Sequence, residues 1–371
     1  MKKLVALLMA ALMLFSLAAC GSKTAETAPA AAPAEAAPAE AAPAEAAPAE
    51  AAPAEAAPAE AAPADDGEVY VINFATNQPA THVVAGAYQG LVDELNEKGN
   101  GRIKATAYFA EQLGNEKEIV DMLANNMNDV LGAPGPSALS VYFPSLQLFD
   151  APYIFDSPEQ AIAFANGENS QEMWDAFAEE AGIRVLGTYY FGRRYLTCNG
   201  LDVKTPADLA GLKLRVVDSE ITLATGRALG ANPTPLAYGE LYLGLQQGVV
   251  DAQENPLANI LAMKFYEVQD TLVLTGHVTA MVCYAMSEEK WQSLPADIQA
   301  IVQEAVDNAV AAGSKAVLDN EDAQIEELKG YGMTVLEPDV DAFRANAQSV
   351  IDEFSVNWID GIVDKINDTA A

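Results

Sequence analysis

The chain has 371 residues, with 53 Asp and Glu against 20 Lys and Arg, and a formal net charge of −33 at pH 7. This excess of negative charge argues against nucleic acid or an anionic membrane surface as a partner, since both are polyanions. It does not argue against a small anionic ligand, because charges are screened within about 8 Å at physiological salt and a few arginines can dominate a closed cleft.

The N-terminal segment, residues 1–19, is typical of a bacterial lipoprotein signal. Two lysines precede an apolar run from Leu4 to Leu17, and Ala18 and Ala19 stand directly before Cys20. The run is shorter than the roughly 20 residues of a membrane-spanning helix, which disfavours a transmembrane anchor. We expect cleavage before Cys20 and lipidation of that cysteine, which anchors the protein on the outer face of the cell membrane or in the periplasm.

Residues 20–66 are predicted to form a tether behind the lipidated cysteine. The pentad Ala-Ala-Pro-Ala-Glu repeats six times from Ala31 to Glu60. Proline at every fifth residue interrupts helices and the regularly spaced Glu charges repel one another, so we expect an extended, disordered segment. At roughly 3 Å per residue it reaches on the order of 100 Å.

Residues 67–371 alternate strand and helix patterns, which predicts an α/β fold, and about 300 residues suit two lobes better than one core. The strand patterns lie at 68–75, 102–109, 128–131, 183–191, within 271–287, and at 331–336. The helix patterns lie at 82–99, around 116–123, from Ser157, and at 171–180, 257–269, 288–328 and 341–367.

The stretch from Gly211 to Pro256 is predicted as strand, helix, strand, helix, strand, with Arg215 inside an otherwise apolar strand and Asn255 at the end of the last one. Ligands of open α/β sheets bind outside the carboxyl ends of strands, and a guanidinium with a side-chain amide suits a carboxylate. A second interpretation stays open, in which Arg215 extends to water and Asn255 before Pro256 belongs to a turn.

Other polar residues have similar alternatives. Arg193 and Arg194 are adjacent on an extended segment, so at most one faces a cleft. Asn77 follows the first strand as a ligand donor or, more simply, a turn residue. We expect Cys198 and Cys283 to be buried thiols rather than a disulfide, although an exported protein permits one.

The sequence lacks the motifs of common enzyme classes. No P-loop, HExxH, GxSxG, CxxC or GxGxxG is present, and two isolated histidines offer little for general-base chemistry. His277 has no partner at metal-ligand spacing, which favours a structural role. We therefore expect a binding protein rather than an enzyme, with no cofactor and no metal.

A longer motif resembles a known family. The motif combines GLKLRV at 211–216, NPTP at 232–235, YGELY at 238–242 and GVVDAQENP at 248–256. With FYEV at 265–268 and QLG at 112–114, it is similar to the DctP-type solute-binding proteins of tripartite ATP-independent periplasmic (TRAP) transporters. The similarity covers essentially residues 68–371.

The resemblance implies a periplasmic-binding-protein type II-like (Venus flytrap) fold, in which two α/β lobes close on an organic acid that is then delivered to TRAP permease membrane subunits. The lobes are predicted at about 67–191 with 281–320, and 192–280 with 321–371. Carried over by position, Arg215 grips the substrate carboxylate and Asn255 completes the clamp. The further contacts implied by the resemblance are Arg194, Tyr238, Asn77 and Glu116.

One departure bears on the ligand. Relatives that bind sialic acid have an acidic residue where this chain has Ala133-Pro134-Gly135, so we expect a smaller or less polyhydroxylated acid. Two alternatives to a TRAP function remain: a solute-binding lipoprotein of an ABC importer or a surface sensor, and a secreted enzyme acting on acids.

Overall fold

The computed structural model of this chain describes residues 67–370. The predicted signal segment, the lipidated Cys20 and the repeat tether lie outside these residues. The strands are β1 (Tyr70–Ala75), β2 (Ile103–Tyr108), β3 (Val130–Gly132), β4 (Ile183–Cys198), β5 (Lys213–Val216), β6 (Asn232–Pro235), β7 (Ala252–Pro256), β8 (Thr271–Ser287) and β9 (Thr334–Leu336).

The α-helices alternate with these strands in the first two thirds of the described residues and dominate the last third. They are α1 (Ala85–Gly99), α2 (Glu116–Ala124), α3 (Pro136–Leu139), α4 (Pro158–Ala165), α5 (Glu168–Ala181), α6 (Glu220–Ala228), α7 (Leu241–Gln246), α8 (Leu257–Ala262), α9 (Glu288–Ser293), α10 (Ala296–Leu318), α11 (Glu321–Gly330), α12 (Val340–Phe354) and α13 (Ile362–Asn367). Short 3-10 helices include Pro144–Asp150 and Tyr238–Glu240. Among residues 67–370, no helix combines the length and the apolar character that crossing a bilayer takes.

Local signals in the sequence explain several helix starts. Ser219 caps α6 by accepting a hydrogen bond from the Thr222 backbone amide, as its position predicts, and Ser157 caps α4 through the Gln160 amide. Asn115 and Glu118 form a reciprocal capping box at the start of α2. These caps satisfy backbone amides that a helix start leaves unpaired.

All nine strands described belong to one mixed sheet, in the order β2-β1-β3-β8-β4-β7-β5-β6, with β9 beside β8. β1 pairs in parallel with β2 and β3, and β5 pairs in parallel with β6 and β7. The long antiparallel pair of β4 and β8 joins these two parallel regions. This arrangement is the predicted α/β class, and it brings the loops that follow β1 and the end of β5 toward one region.

Some predicted boundaries are wrong for physical reasons. The strand predicted to end at Phe191 continues to Cys198, because a register shift beside Gly192, whose φ is 120°, bends β4 without ending its pairing with β8. The last strand begins at Thr334 rather than residue 331. The pattern at 341–367 leaves open whether the closing helix is continuous, and the structure divides it into α12 and α13.

Buried apolar side chains form one large cluster and two smaller ones. The large cluster contains β1, β2 and β3 side chains with the first half of β4 and the second half of β8. The smaller clusters surround β5 and α7. The end of the chain contributes to both regions, since Phe343 lies in a small cluster whereas Val350 and Ile366 lie in the large one. The predicted lobe boundaries stay a prediction.

Candidate ligand-binding site

Parallel strand ends bring the predicted polar residues together. Arg215 lies on β5 beside Gln253 of β7, and Asn255 lies two residues further along β7 opposite Tyr195 of β4. Asn77 follows the end of β1. The site therefore lies where open α/β sheets place ligands, outside the carboxyl ends of their strands.

The six residues predicted to bind substrate all line one inner cavity of about 60 Å³: Asn77, Glu116, Arg194, Arg215, Tyr238 and Asn255. An outer cavity of about 400 Å³ adjoins it and shares five lining residues with it, namely Asn77, Glu116, Arg215, Val217 and Tyr238. Side chains from both parallel regions of the sheet therefore surround one space. That any of the six residues contacts a ligand stays a prediction.

Arg215 is a buried cation without an ion pair among the described residues. It is 3% exposed, and its Nε donates to the Leu236 carbonyl at 2.9 Å. Its two Nη nitrogens make no hydrogen bond within residues 67–370. Burial lowers the pKa of Arg215 to about 10, which leaves it protonated at pH 7. The free end of this guanidinium is the fork that fits two oxygens of a carboxylate.

Arg194 forms a buried ion pair with Glu254. Its Nε and Nη2 contact Glu254 at 2.5 and 2.8 Å, and Nη2 also donates to the Glu254 carbonyl at 2.7 Å. His277 Nε2 lies 3.1 Å from the same carboxylate. Burial alone would raise the pKa of Glu254, but Arg194 and His277 outweigh burial and lower this pKa to about 2. Glu254 therefore stays ionised and compensates the Arg194 charge.

The amide side chains are partly engaged by neighbours. Asn255 Nδ2 donates to Gln253 Oε1 at 2.6 Å, and Asn255 Oδ1 accepts from Arg194 Nη2 at 3.3 Å. Asn77 Oδ1 accepts from Gln78 Nε2 at 2.9 Å, and its Nδ2 makes no hydrogen bond within the described part of the chain. Asn255 thus contacts Arg194, whereas the Asn77 side-chain donor is unused within residues 67–370.

Tyr238 and His82 meet at Asn259, which also lines the inner cavity. His82 Nε2 lies 3.0 Å from Asn259 Oδ1, while His82 Nδ1 accepts from the Val84 amide at 3.3 Å. Burial lowers the pKa of His82 to about 4, so the ring is neutral at pH 7. The Tyr238 hydroxyl is buried without a hydrogen bond of ordinary geometry to any residue of the described part. The Tyr238 side chain therefore forms part of the cavity wall, and its hydroxyl has unused hydrogen-bonding capacity.

Glu116 and Asp150 supply carboxylates to the inner cavity. Glu116 Oε1 accepts from the Gly135 amide at 2.8 Å. Burial raises the pKa of Glu116, and burial raises the pKa of Asp150 to about 6. Glu116 is among the contacts implied by the family resemblance, whereas Asp150 is not. Its signal in the sequence is a single charged residue in an otherwise apolar segment.

Glu111 and Gly239 approach closely beside the outer cavity, to which Glu111 contributes. A Cβ on residue 239 would lie 2.4 Å from Glu111 Oε2 and 3.0 Å from its carboxyl carbon. Glu111 follows β2, whereas Gly239 lies in the 3-10 helix between β6 and α7. The absence of a side chain at Gly239 therefore allows the two parallel regions to meet here.

The described residues contain no group of three or more His, Cys, Asp or Glu side chains placed to hold a metal ion. Cys198 and Cys283 are both free and buried. Burial raises the pKa of each thiol to about 12, which leaves both protonated at neutral pH. Within residues 67–370, the polar groups of the cavity are thus arginine, amide, hydroxyl and carboxylate side chains with backbone amides.

Comparison with known proteins agrees with this geometry. Residues 74–357 match the model of the family described as bacterial extracellular solute-binding protein, family 7, or DctP. The sialic acid-binding periplasmic protein SiaP of Vibrio cholerae is 32% identical over 276 residues, which cover 74% of this chain and 85% of SiaP.

Solved structures show the same fold. A TRAP periplasmic solute binding protein from Roseobacter denitrificans with bound 3-deoxy-D-manno-oct-2-ulosonic acid has a TM-score of 0.76 and 31% identity, covering 82% of this chain and all of that one. A TRAP protein from a Polaromonas species bound to D-erythronate also has a TM-score of 0.76, with 27% identity, covering 82% of this chain and 99% of its own. The chain therefore belongs to the DctP family of TRAP solute-binding proteins and has their two-lobed, type II-like α/β fold.

Proposed function

We propose that this protein captures an organic acid in the cavity between its lobes and delivers it to the membrane subunits of a TRAP transporter. The observation that carries the proposal is Arg215, a buried guanidinium whose Nη nitrogens have no partner within the described residues. Burying an unpaired charge is costly, so the native state gains most from a ligand that brings the opposite charge. A carboxylate meets this need with two matched oxygens.

The other residues of the inner cavity take supporting roles in this proposal. Asn255 and Glu254 orient Arg194, Asn77 donates to the ligand from the opposite side, and Tyr238 forms a wall. The relatives support an organic acid, since their names or bound ligands include sialic acid, 3-deoxy-D-manno-oct-2-ulosonic acid and D-erythronate. The loop Ala133-Pro134-Gly135 keeps sialic acid itself the less favoured ligand.

Lobe closure follows from the same contacts. A ligand held by Arg215 from one region of the sheet and by Asn77 or Glu116 from the other gains contacts only when the lobes are closed, so binding favours the closed state. We infer that the permease recognises this closed form. The lipid on Cys20 and the repeat at 31–60 then hold the domain near the membrane while it exchanges ligand.

A thermal-shift screen tests the carboxylate assignment. The panel contains mono- and dicarboxylates, keto acids, uronates and sialic acid, with neutral sugars as controls. A ligand at 100 times its dissociation constant adds about 2.7 kcal/mol of stability, which raises the melting temperature by several degrees. We expect acids to shift the wild type and not Arg215→Ala; a response to neutral compounds alone, unchanged in the variant, would refute the proposal.

Delivery needs its own experiment. The loaded protein is added to vesicles that contain the small and large membrane subunits of a TRAP permease from the same organism, with an imposed ion gradient, and uptake of labelled acid is measured. We expect uptake to require both the binding protein and the gradient. Acid binding without any uptake by these vesicles would contradict delivery to a TRAP permease and would favour the ABC-importer or sensor alternative.

A further inference from the structure

The charges around the inner cavity do not balance. Its charged lining residues are Arg194, Arg215, Glu116 and Asp150. Arg194 is already paired with Glu254 through two nitrogen-oxygen contacts. One cation and two carboxylates therefore remain without an ion pair among the described residues. A ligand carboxylate on Arg215 uses the cation and leaves both acidic side chains to be satisfied by something else.

Asp150 is the less satisfied of these two carboxylates. It ends the 3-10 helix Pro144–Asp150 and lines the inner cavity as well as a pocket of about 20 Å³ beside it. Its Oδ2 is shielded from solvent and has no hydrogen-bond partner within residues 67–370. A buried acceptor without a donor costs about 1–3 kcal/mol, so a ligand donor at this point contributes to affinity.

Glu116 offers a second acceptor from another element. Its Oε1 is engaged by the Gly135 amide, and its Oε2 makes no hydrogen bond within the described residues. It begins α2, whereas Asp150 comes from the segment after α3. The two carboxylates thus reach the cavity from two separate elements, the start of α2 and the 3-10 helix Pro144–Asp150, while Arg215 reaches it from β5.

We propose that Asp150 is a specificity-determining residue, which accepts a hydrogen bond from a ligand donor and excludes a second ligand carboxylate. This inference rests on the proposed function and narrows its substrate class. The ligand is then a monocarboxylate that carries a hydroxyl or ammonium group in addition to the carboxylate held by Arg215. A hydroxyl donates to one of the Asp150 and Glu116 acceptors and an ammonium can donate to both, whereas a bare alkyl chain leaves them desolvated and unpaired.

A dicarboxylate fits poorly for an electrostatic reason. Once its first carboxylate is on Arg215, its second lies in a space bordered by Asp150 and Glu116, and like charges in a poorly solvated site repel strongly. Arg194 does not relieve this repulsion fully, since Glu254 already compensates its charge. The cavity therefore discriminates by repulsion as well as by attraction.

Four acids of equal carbon count separate these contributions. Calorimetric titration of the purified full-length chain at pH 7.5 compares erythronate, 4-aminobutyrate, butyrate and succinate, and a six-carbon series of galactonate, 6-aminohexanoate, hexanoate and adipate repeats the comparison. We expect at least one donor-bearing acid to bind at least tenfold more tightly than both the alkyl acid and the dicarboxylate of its series. The hydroxy and amino members identify which donor the site prefers.

Two substitutions assign the preference to Asp150. Asp150→Ala removes the acceptor and should reduce the donor preference at least tenfold, while Asp150→Asn removes the charge at nearly constant size and should improve dicarboxylate binding. Asp218→Asn is the matched control, because Asp218 is exposed and borders only the outer cavity. Affinity ratios in this control should equal those of the wild type.

The outcomes distinguish this inference from the proposed function. If acids bind in an Arg215-dependent way but succinate or butyrate equals the donor-bearing acids, the specificity role of Asp150 is refuted and the carboxylate clamp survives. The same conclusion follows if both Asp150 variants keep the wild-type ratios. If no acid binds, or if binding is unchanged in Arg215→Ala, the proposed function fails and the inference fails with it.

Discussion

Arg194 and Glu254 form a two-point ion pair in which Nε lies 2.5 Å from Oε2 and Nη2 lies 2.8 Å from Oε1. The Arg194 and Glu254 side chains are only 12% and 6% exposed. The pair converts one of the two cavity arginines into a neutral unit and leaves Arg215 as the cation with free donors. The two arginines of the cavity therefore differ: Arg194 is neutralised by Glu254, whereas Arg215 keeps unpaired donors.

Glu254→Gln should destabilise the protein by about 3–5 kcal/mol, because it leaves the buried Arg194 charge without its partner. Urea unfolding monitored by circular dichroism measures this loss. Glu288→Gln is the matched control, since Arg184 and Glu288 form a similar two-point contact with 29% and 24% of their side chains exposed. The control should cost about 1 kcal/mol or less. Equal losses in the two variants would contradict a special role for the buried pair.

Arg215→Lys should weaken acid binding at least tenfold, or about 1.4 kcal/mol, because a lysine keeps the charge but presents no planar fork. Calorimetric titration with the best acid from the screen measures the change. Arg227→Lys serves as the control, because Arg227 lies in the last turn of α6 and is absent from the lining of both cavities. Wild-type affinity in Arg215→Lys would show that charge alone is recognised.

Gly239→Ala should weaken ligand binding by about threefold to tenfold, or ~0.6–1.4 kcal/mol, through the population of the closed state rather than through ligand contacts. The added methyl group meets the Glu111 carboxylate, whose Oε2 lies 2.4 Å from the ideal Cβ position. Adding Glu111→Ala should restore the affinity. Gly90→Ala is the control, because its Cβ enters open space on α1. Failure of the double variant to recover would place the effect elsewhere.

Asp150→Asn should stabilise the unliganded protein at pH 7.5. Burial raises the folded-state pKa of Asp150 to about 6, with the Ser137 side chain and Arg194 opposing the effect and Glu254 and Glu116 adding to it. Against an unfolded pKa of about 3.9, the folded state binds the proton more tightly, so stability is lost as pH rises through 6. The two pKa values limit the gain to about 3 kcal/mol.

The direction in which the stability difference changes with pH tests this prediction. The melting-temperature difference between Asp150→Asn and wild type should be largest at pH 7.5 and disappear toward pH 3, where Asp150 is protonated in both states. Among the neighbouring groups, Glu254, whose pKa is about 2, stays ionised over this range. His277 and Glu116 occur in both the wild type and the variant, so the difference between the two proteins reports on residue 150. A difference that grows toward low pH would contradict the raised pKa.

Much of the fold follows from local sequence signals. The Ser219 cap and the apolar strand around Arg215 lie at the predicted places because each depends on neighbours within a few residues. The predicted end of β4 was wrong because the strand continues through its pairing with β8, which lies about 80 residues later in the chain. Strand length is decided by partners as well as by propensity.

The site residues also fall into those that local sequence indicates and those that depend on distant parts of the chain. Arg215 and Asn255 were recognised because each is unusual in its own strand, and the structure brings them to one cavity. Glu254 was passed over as one acid among many, since its partner Arg194 lies 60 residues earlier. Asp150 stands in an apolar segment, and only the arrangement of distant elements reveals that it lines the cavity. A single charged residue in an apolar run was the available signal.

The position of β8 governs when the sheet of this chain can be completed. β8 lies between β3 and β4 in the sheet, although it is the eighth strand in sequence. While the chain is being made, the piece containing β2, β1 and β3 has nothing to join it to β4 until the residues through Ser287 have emerged. An N-terminal fragment that stops before Thr271 therefore holds two pieces of sheet that no strand pairing connects.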